Sequence, residues 1–149
     1  MKALLQRVSR ANVDVAGECV GKIGQGLLVL LGLDKGDNCH TADRLLDKLL
    51  AYRMFSDESG RMNNSVSDIT GGVLLVPQFT LSADTGKGLR PSFSRALPPA
   101  EAKELYSYTL EQLRCRHGDV AAGVFGADML VSLTNDGPVT FLLDVPTSL

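Results

Sequence analysis

Two adjoining stretches decide the fold: Gly26-Leu27-Leu28-Val29-Leu30-Leu31-Gly32-Leu33, and, after a polar connection, Thr41-Ala42-Asp43-Arg44-Leu45-Leu46-Asp47-Lys48-Leu49-Leu50-Ala51-Tyr52. The first is a short, nearly unbroken apolar run, the pattern of a strand buried on both faces. In the second the period changes, because Leu45, Leu46, Leu49 and Leu50 recur at helical spacing and leave one apolar stripe for a core. Thr41 reads as the N-cap of that helix.

The same reading extends outward in both directions. Lys2 to Val8 and Asn12 to Val15 are β-prone, Ala16-Gly17 is turn-like, and Glu18 to Gly24 returns towards the central strand. Beyond the helix, Met54-Phe55 restarts extended chain, Asp57 to Gly60 turns, and Gly72 to Val76 is a second apolar run for the sheet interior. Pro77 donates no ladder hydrogen bond, so the strand must there reach an edge, bulge or rim. Ser82 to Leu97 is a long polar connection, and such loops often carry function. Pro98-Pro99 opens a second helix, Ala100 to about Arg116, with Ala102, Leu105, Tyr106, Thr109, Leu110 and Leu113 on one side. Val120 to Val124, Met129 to Thr134 and Val139 to Leu143 close the chain as strands. The strands are grouped rather than alternating with helices, which predicts an α+β fold: one domain, residues 1–149, with a curved, mostly antiparallel sheet or partial barrel and two main helices.

Composition narrows the function. A length of 149 residues with 44% hydrophobic content suits one ordinary core. The longest apolar run, Leu27 to Leu31, cannot span a bilayer, and residues Met1 to Arg7 do not resemble a signal peptide, so a cytoplasmic protein without membrane partners is expected. Cys19, Cys39 and Cys115 are odd in number and widely spaced, which fits reduced, structural thiols. A net charge of −2 argues against a protein that wraps a duplex. Basic residues do cluster at Arg7 and Arg10, at Lys87, Arg90 and Arg95, and at Arg114 and Arg116, a pattern that solvated surfaces also produce.

Several chemistries fail on inspection. Gly21, Gly24 and Gly26 are in the wrong order for a dinucleotide loop and precede a strand. Gly86-Lys87 lacks the earlier glycine of a phosphate loop, since Leu81 stands there, and Gly88 replaces the required Ser or Thr. His40 and His117, the two histidines, sit at helix ends without a nucleophile motif, and Cys115 with His117 falls short of a tetrahedral metal set, so neither a triad, a metal nor a cofactor is expected.

Two segments break local rules. Pro77-Gln78-Phe79-Thr80-Leu81 places an amide, an aromatic ring and a hydroxyl where a buried strand reaches the rim; an ordinary strand end accounts for that equally well. Asn135-Asp136-Gly137-Pro138-Val139-Thr140 holds a Gly-Pro pair that can aim two carbonyls in one direction and so read an ammonium group, or can be a plain turn between strands.

At these segments the chain resembles the D-aminoacyl-tRNA deacylase family, whose signatures are a SQFTL-type and an NxGPVT-type motif. Matches continue through Gln6-Arg7-Val8, Val20 to Ile23, Gly26 to Gly32, Met62-Asn63, Leu74 to Val76, Lys87 to Phe93 and Phe125 to Met129. Pro77 stands where the family usually has serine, so that serine's role cannot be carried over, and Asn64 replaces a usual leucine. The resemblance implies hydrolysis of the ester of D-aminoacyl-tRNA and glycyl-tRNA, without metal or cofactor. It also implies a homodimer in which the Gly137-Pro138 turn, with a cis peptide, enters the partner's pocket at the 3′ end of aminoacylated tRNA. Gln78, Phe79 and Thr80 become the expected catalytic residues, and Gly137, Pro138, Arg7, Phe125 and Met129 the expected substrate-binding ones. Thr80 could donate a hydrogen bond or act as a covalent nucleophile, although a nucleophilic threonine needs a base. Three rivals stand beside this reading: a hydrolase of another acyl ester, a non-catalytic RNA-binding module, and a ligand-free structural oligomer. A basic stripe with stacking aromatics would favour the RNA module, and an aromatic content of 5% does not.

Overall fold

A computed structural model describes residues 1–147. Its strands and helices are β1 (Lys2–Val15), β2 (Glu18–Ile23), β3 (Gly26–Gly32), α1 (Cys39–Ala51), β4 (Phe55–Ser56), β5 (Met62–Asn64), β6 (Gly72–Pro77), α2 (Pro99–Arg116), β7 (Val120–Ala122) and β8 (Leu130–Asp144), with a 3₁₀ turn at Phe79–Ser82 after β6. The main sheet runs β2-β1-β3-β6-β7, and β8 pairs with β1. β1 is antiparallel to β2, β3 and β8, whereas β3-β6 and β6-β7 are parallel. The result is the expected α+β arrangement, a curved and nearly barrel-shaped mixed sheet carrying two helices.

β1 serves three neighbours because it is long and bent, with register shifts against β2 at Val13/Asp14 and against β8 on either side of Val8. The strand therefore continues through Ser9-Arg10-Ala11, where two separate strands were expected. One face of the sheet packs Ala3, Leu5, Leu27, Val29, Leu31, Val73 and Leu75 against Leu45, Leu46 and Leu49 of α1 and Leu105, Tyr106 and Leu113 of α2. The other face gathers Val8, Ala11, Val13, Ile23, Leu28, Leu74 and Val76 inside the curl. Burying a Leu or Val side chain is worth about 1.5–3 kcal/mol, so these two clusters fix the sheet that presents the rim at Pro77.

Two local expectations are corrected. The N-cap of α1 is Asn38, whose side chain accepts from Thr41 N at 3.0 Å, and Thr41 sits at the third helical position and closes a capping box. Asn is as good a cap as Thr, and two cap-forming residues three apart let either register be read from sequence. The cysteines are free but exposed, so they contribute little to packing. Among the described residues, no helix is long and apolar enough to cross a membrane.

Candidate functional site

The rim begins where β6 ends. Pro77 is the last residue of β6, opposite Leu31 of β3, and Gln78 N donates to Leu31 O at 2.7 Å. The chain then tightens into the 3₁₀ turn, whose first internal bond is Leu81 N to Gln78 O at 3.2 Å. A turn of this kind leaves the N–H groups before that bond without partners inside it, so those of Phe79 and Thr80 are the donors released at the sheet end. Gly32 makes the placement possible: a Cβ there would lie 2.8 Å from Leu81 Cβ and 3.3 Å from Gln78 O. Ser82 ties the turn down from below, its Oγ donating to Leu33 O at 3.2 Å.

The three side chains differ in environment. Gln78 is half-buried and donates through Nε2 to Thr80 Oγ1, while Thr80 and Phe79 are exposed. The ring of Phe79 stacks obliquely on Phe93, centroids 5.1 Å apart. An amide N–H is a donor and cannot take a proton, so this contact orients the Thr80 oxygen without activating it.

Phe125 and Met129 lie beside the same end of the sheet. Met129 Sδ and Pro77 Cδ both face the bare Cα of Gly123, and Phe125 packs on Tyr106 with centroids 6.0 Å apart. Tyr106 holds these parts together: its hydroxyl reaches Leu75 O at 3.1 Å and Gly123 O at 3.2 Å. Burial pushes its pKa up to about 12. Its helical position gave only a packing signal.

Arg7, Gly137 and Pro138 form a second group. The expected turn between two strands is instead a bulge inside β8. Val8 pairs with Asn135 and Gln6 with Thr140, so Asp136 to Val139 face Arg7 alone. Arg7 Nε donates to Asp136 O at 3.1 Å and Nη1 to Met54 O at 3.0 Å. Asn135 Nδ2 bridges Arg7 O at 2.8 Å and Val139 O at 3.0 Å, replacing ladder bonds that the bulge removes. The Gly137-Pro138 peptide is cis and Gly137 has φ +128°. A Cβ at 137 would lie 2.6 Å from Val139 Cγ2 and 3.1 Å from Arg7 Nη2.

Within one copy the two groups stand apart. The bulge faces Arg7 and Val8, and Val8 aligns with Gly26 and Gly72, whereas Gln78 follows the Leu31-Pro77 pair at the other end of the same strands. Strand rise and spacing make the separation roughly 15–20 Å. Two surface hollows, of about 560 and 320 Å³, include no residue of the rim; Lys48, Ala51, Tyr52, Arg53, Met62 and Phe141 line the larger. His117 Nε2 contacts Gly71 O at 2.6 Å, far from the rim along β6. Among the described residues, no group of three or more His, Cys, Asp or Glu is placed to hold a metal ion.

A family model described as D-Tyr-tRNA(Tyr) deacylase matches residues 4–144. The chain is 59% identical over 145 residues to a D-aminoacyl-tRNA deacylase of Cellvibrio japonicus, covering 97% of this chain and 99% of the relative. It is 60% identical to a D-aminoacyl-tRNA deacylase of Pseudomonas putida strain F1, covering 97% and 100%. A solved structure described as a c-Myc DNA Unwinding Element Binding Protein superposes with a TM-score of 0.94 at 43% identity, covering 98% of this chain and 99% of the other.

Proposed function

The chain belongs to the D-Tyr-tRNA(Tyr) deacylase family and is a hydrolase, and on that premise we propose that it frees tRNA from D-amino acids and from glycine while sparing L-aminoacyl esters. The observation that carries this reading is the rim, where the 3₁₀ turn after Gln78 presents the Phe79 and Thr80 N–H groups at an open strand end. An aminoacyl ester is already activated. The protein need only place it, stabilise the oxyanion and admit water or the neighbouring ribose hydroxyl.

In this mechanism the two N–H groups meet the developing oxyanion and Gln78 orients the ester. Gln78 holds the Thr80 hydroxyl in place, and an amide is a base at neither of its polar atoms, so it cannot turn Thr80 into a nucleophile. Thr80 therefore acts as a hydrogen-bond donor, and water or the ribose hydroxyl is the nucleophile. Phe125 and Met129 flank the adenosine, and neither metal nor cofactor takes part.

Chiral choice belongs to the bulge. The Gly137 and Pro138 carbonyls take the α-ammonium group and fill the space an L side chain would need, whereas a D side chain points away and glycine fits either way. Arg7 supports that wall. Since the rim and the bulge lie apart in one copy, the wall comes from a second copy, and the working form is a two-fold homodimer. The partner outside the dimer is the 3′ end of aminoacylated tRNA, in the cytoplasm. So small a footprint is compatible with an acidic chain.

Deacylation of tRNA charged with D-tyrosine, glycine or L-tyrosine tests the reading. The first two should be hydrolysed far faster than the spontaneous rate and the third should not. Equal turnover of both tyrosine enantiomers would refute the chiral assignment.

A further inference from the structure

Beside the rim lies a surface that the hydrolysis of the ester does not use. Phe79 and Phe93 are both large and both open to solvent, 62% and 41% exposed, although they stack on each other. The loop that precedes Phe93 leaves the rim at Asp84 and returns at Ser92, closed by Asp84 N to Ser92 O at 2.7 Å and Ser92 N to Asp84 O at 3.0 Å. The Asp84 carboxylate also accepts from Gly86 N at 2.9 Å. Past the loop, Lys35 N donates to Arg95 O at 2.9 Å. Its base is therefore fixed and its tip, Thr85 to Pro91, stands in solvent, with Leu89 as exposed as a free side chain at 104%.

Charge tells what fits there. Between Asp84 and Arg95 the segment has three cations, Lys87, Arg90 and Arg95, against one carboxylate, in a chain whose net charge is −2. Asp84 lies 3.7 Å from Arg95 and partly answers it, leaving Lys87 and Arg90 exposed at the tip. Exposed aromatic faces beside cations are the means by which proteins hold single-stranded nucleic acid, the bases stacking and the phosphates meeting Lys and Arg. A contiguous exposed apolar patch beside a reaction site also marks an interaction surface.

Resting on the proposed deacylase reading, we infer that the loop 84–95 and the Phe79-Phe93 pair form the docking surface for the single-stranded RNA that leads to the reacting nucleotide. The last nucleotide sits at Gln78 to Thr80. The nucleotides before it pass over Phe93 and Leu89, and their phosphates meet Lys87 and Arg90. The surface adds affinity for the RNA and leaves the ester chemistry to the rim.

The test compares two substrates that share the ester, D-tyrosyl-tRNA and 3′-O-D-tyrosyl-adenosine, for the intact protein and the double variant Lys87→Ala/Arg90→Ala. On tRNA the variant's kcat/KM should fall about tenfold, mainly through KM, and the logarithmic salt slope should become shallower by about 1.4, as two single-strand phosphate contacts are lost. On the adenosine ester the two proteins should agree within about twofold. Phe93→Leu, which keeps apolar bulk but removes the stacking face, should show the same split. Equal losses on both substrates, no loss on tRNA, or a loss that follows a changed sedimentation coefficient would overturn the inference; the last would make the loop a contact between copies. If the intact protein hydrolyses neither ester, the deacylase reading itself fails. Rapid hydrolysis of both without the split sinks this inference alone.

Discussion

Arg7 Nε donates to the carbonyl of Asp136 at 3.1 Å, and Arg7 is the one β1 residue opposite the bulge that holds Gly137 and Pro138. A second bond, Nη1 to Met54 O at 3.0 Å, fixes the guanidinium from the other side. Arg7→Ala should therefore loosen the bulge and leave two carbonyls without their charged donor, at about 1.5–3 kcal/mol for such bonds. Activity on D-aminoacyl-tRNA should fall about 10–100-fold, since small misplacements are costly in catalysis. Steady-state rates with a parallel melting curve check this; normal activity would remove Arg7 from the site.

Gly137 cannot carry a side chain in its present place. Its φ of +128° is a conformation that L residues avoid, and a Cβ would lie 2.6 Å from Val139 Cγ2. Gly137→Ala should cost about 1–3 kcal/mol in stability. It should also abolish turnover of glycyl-tRNA as well as D-aminoacyl-tRNA. A folded variant with unimpaired activity would show that the carbonyl wall is not used.

Phe79 offers a substitution that removes an N–H with little change of backbone, because it occupies the first position of the 3₁₀ turn, where proline is tolerated. Phe79→Pro should lower kcat about 10²–10³-fold, the loss expected for one oxyanion donor, whereas Phe79→Ala keeps the donor and should lose much less. Thr80→Ala should be milder than Phe79→Pro. Trapping an acyl group on Thr80 would overturn the hydrogen-bonding role and make the residue a nucleophile.

How much of this was readable beforehand depended on whether the signal was local. The strand Gly72 to Val76, its end at Pro77 and the helix over Leu45 to Leu50 follow from pattern and from proline's missing donor. The continuity of β1 and of β8 does not. Ser9-Arg10 and Asn135 to Pro138 look like breaks, and only the long antiparallel pairing, with Asn135 Nδ2 bonded to Arg7 O and Val139 O, carries the strands through them. Gln78, Phe79 and Thr80 were legible as a rim segment. That Gly32 lets the turn settle against β3 was not, because the contact is made across the sheet. Tyr106 was hidden in the same way, its hydroxyl partners lying 31 and 17 residues away in sequence.

That hidden tyrosine gives a pH prediction. Burial pushes the Tyr106 hydroxyl up to about 12, above an ordinary tyrosine near 10. A raised folded pKa means that its contribution is fully present below the unfolded value and disappears as pH rises towards 12. Melting temperature should fall more steeply between about pH 10 and 12 in the intact protein than in Tyr106→Phe. At neutral pH the variant should be less stable by about 1 kcal/mol. Parallel alkaline profiles would contradict this assignment of the buried hydroxyl.

The shared site is tested most directly by mixing two inactive chains. Phe79→Pro spoils the rim and Gly137→Ala spoils the bulge, so if each site takes its rim from one copy and its bulge from the other, a mixed dimer regains one intact site. Random exchange at equal amounts makes about half the dimers mixed, each with one site of two restored, for about a quarter of the intact protein's activity on D-tyrosyl-tRNA. Activity should rise to that level after the two variants are unfolded and refolded together. If the refolded mixture exchanges subunits, as mass spectrometry can verify, yet stays as inactive as either variant alone, the rim and the bulge do not form one site across two copies.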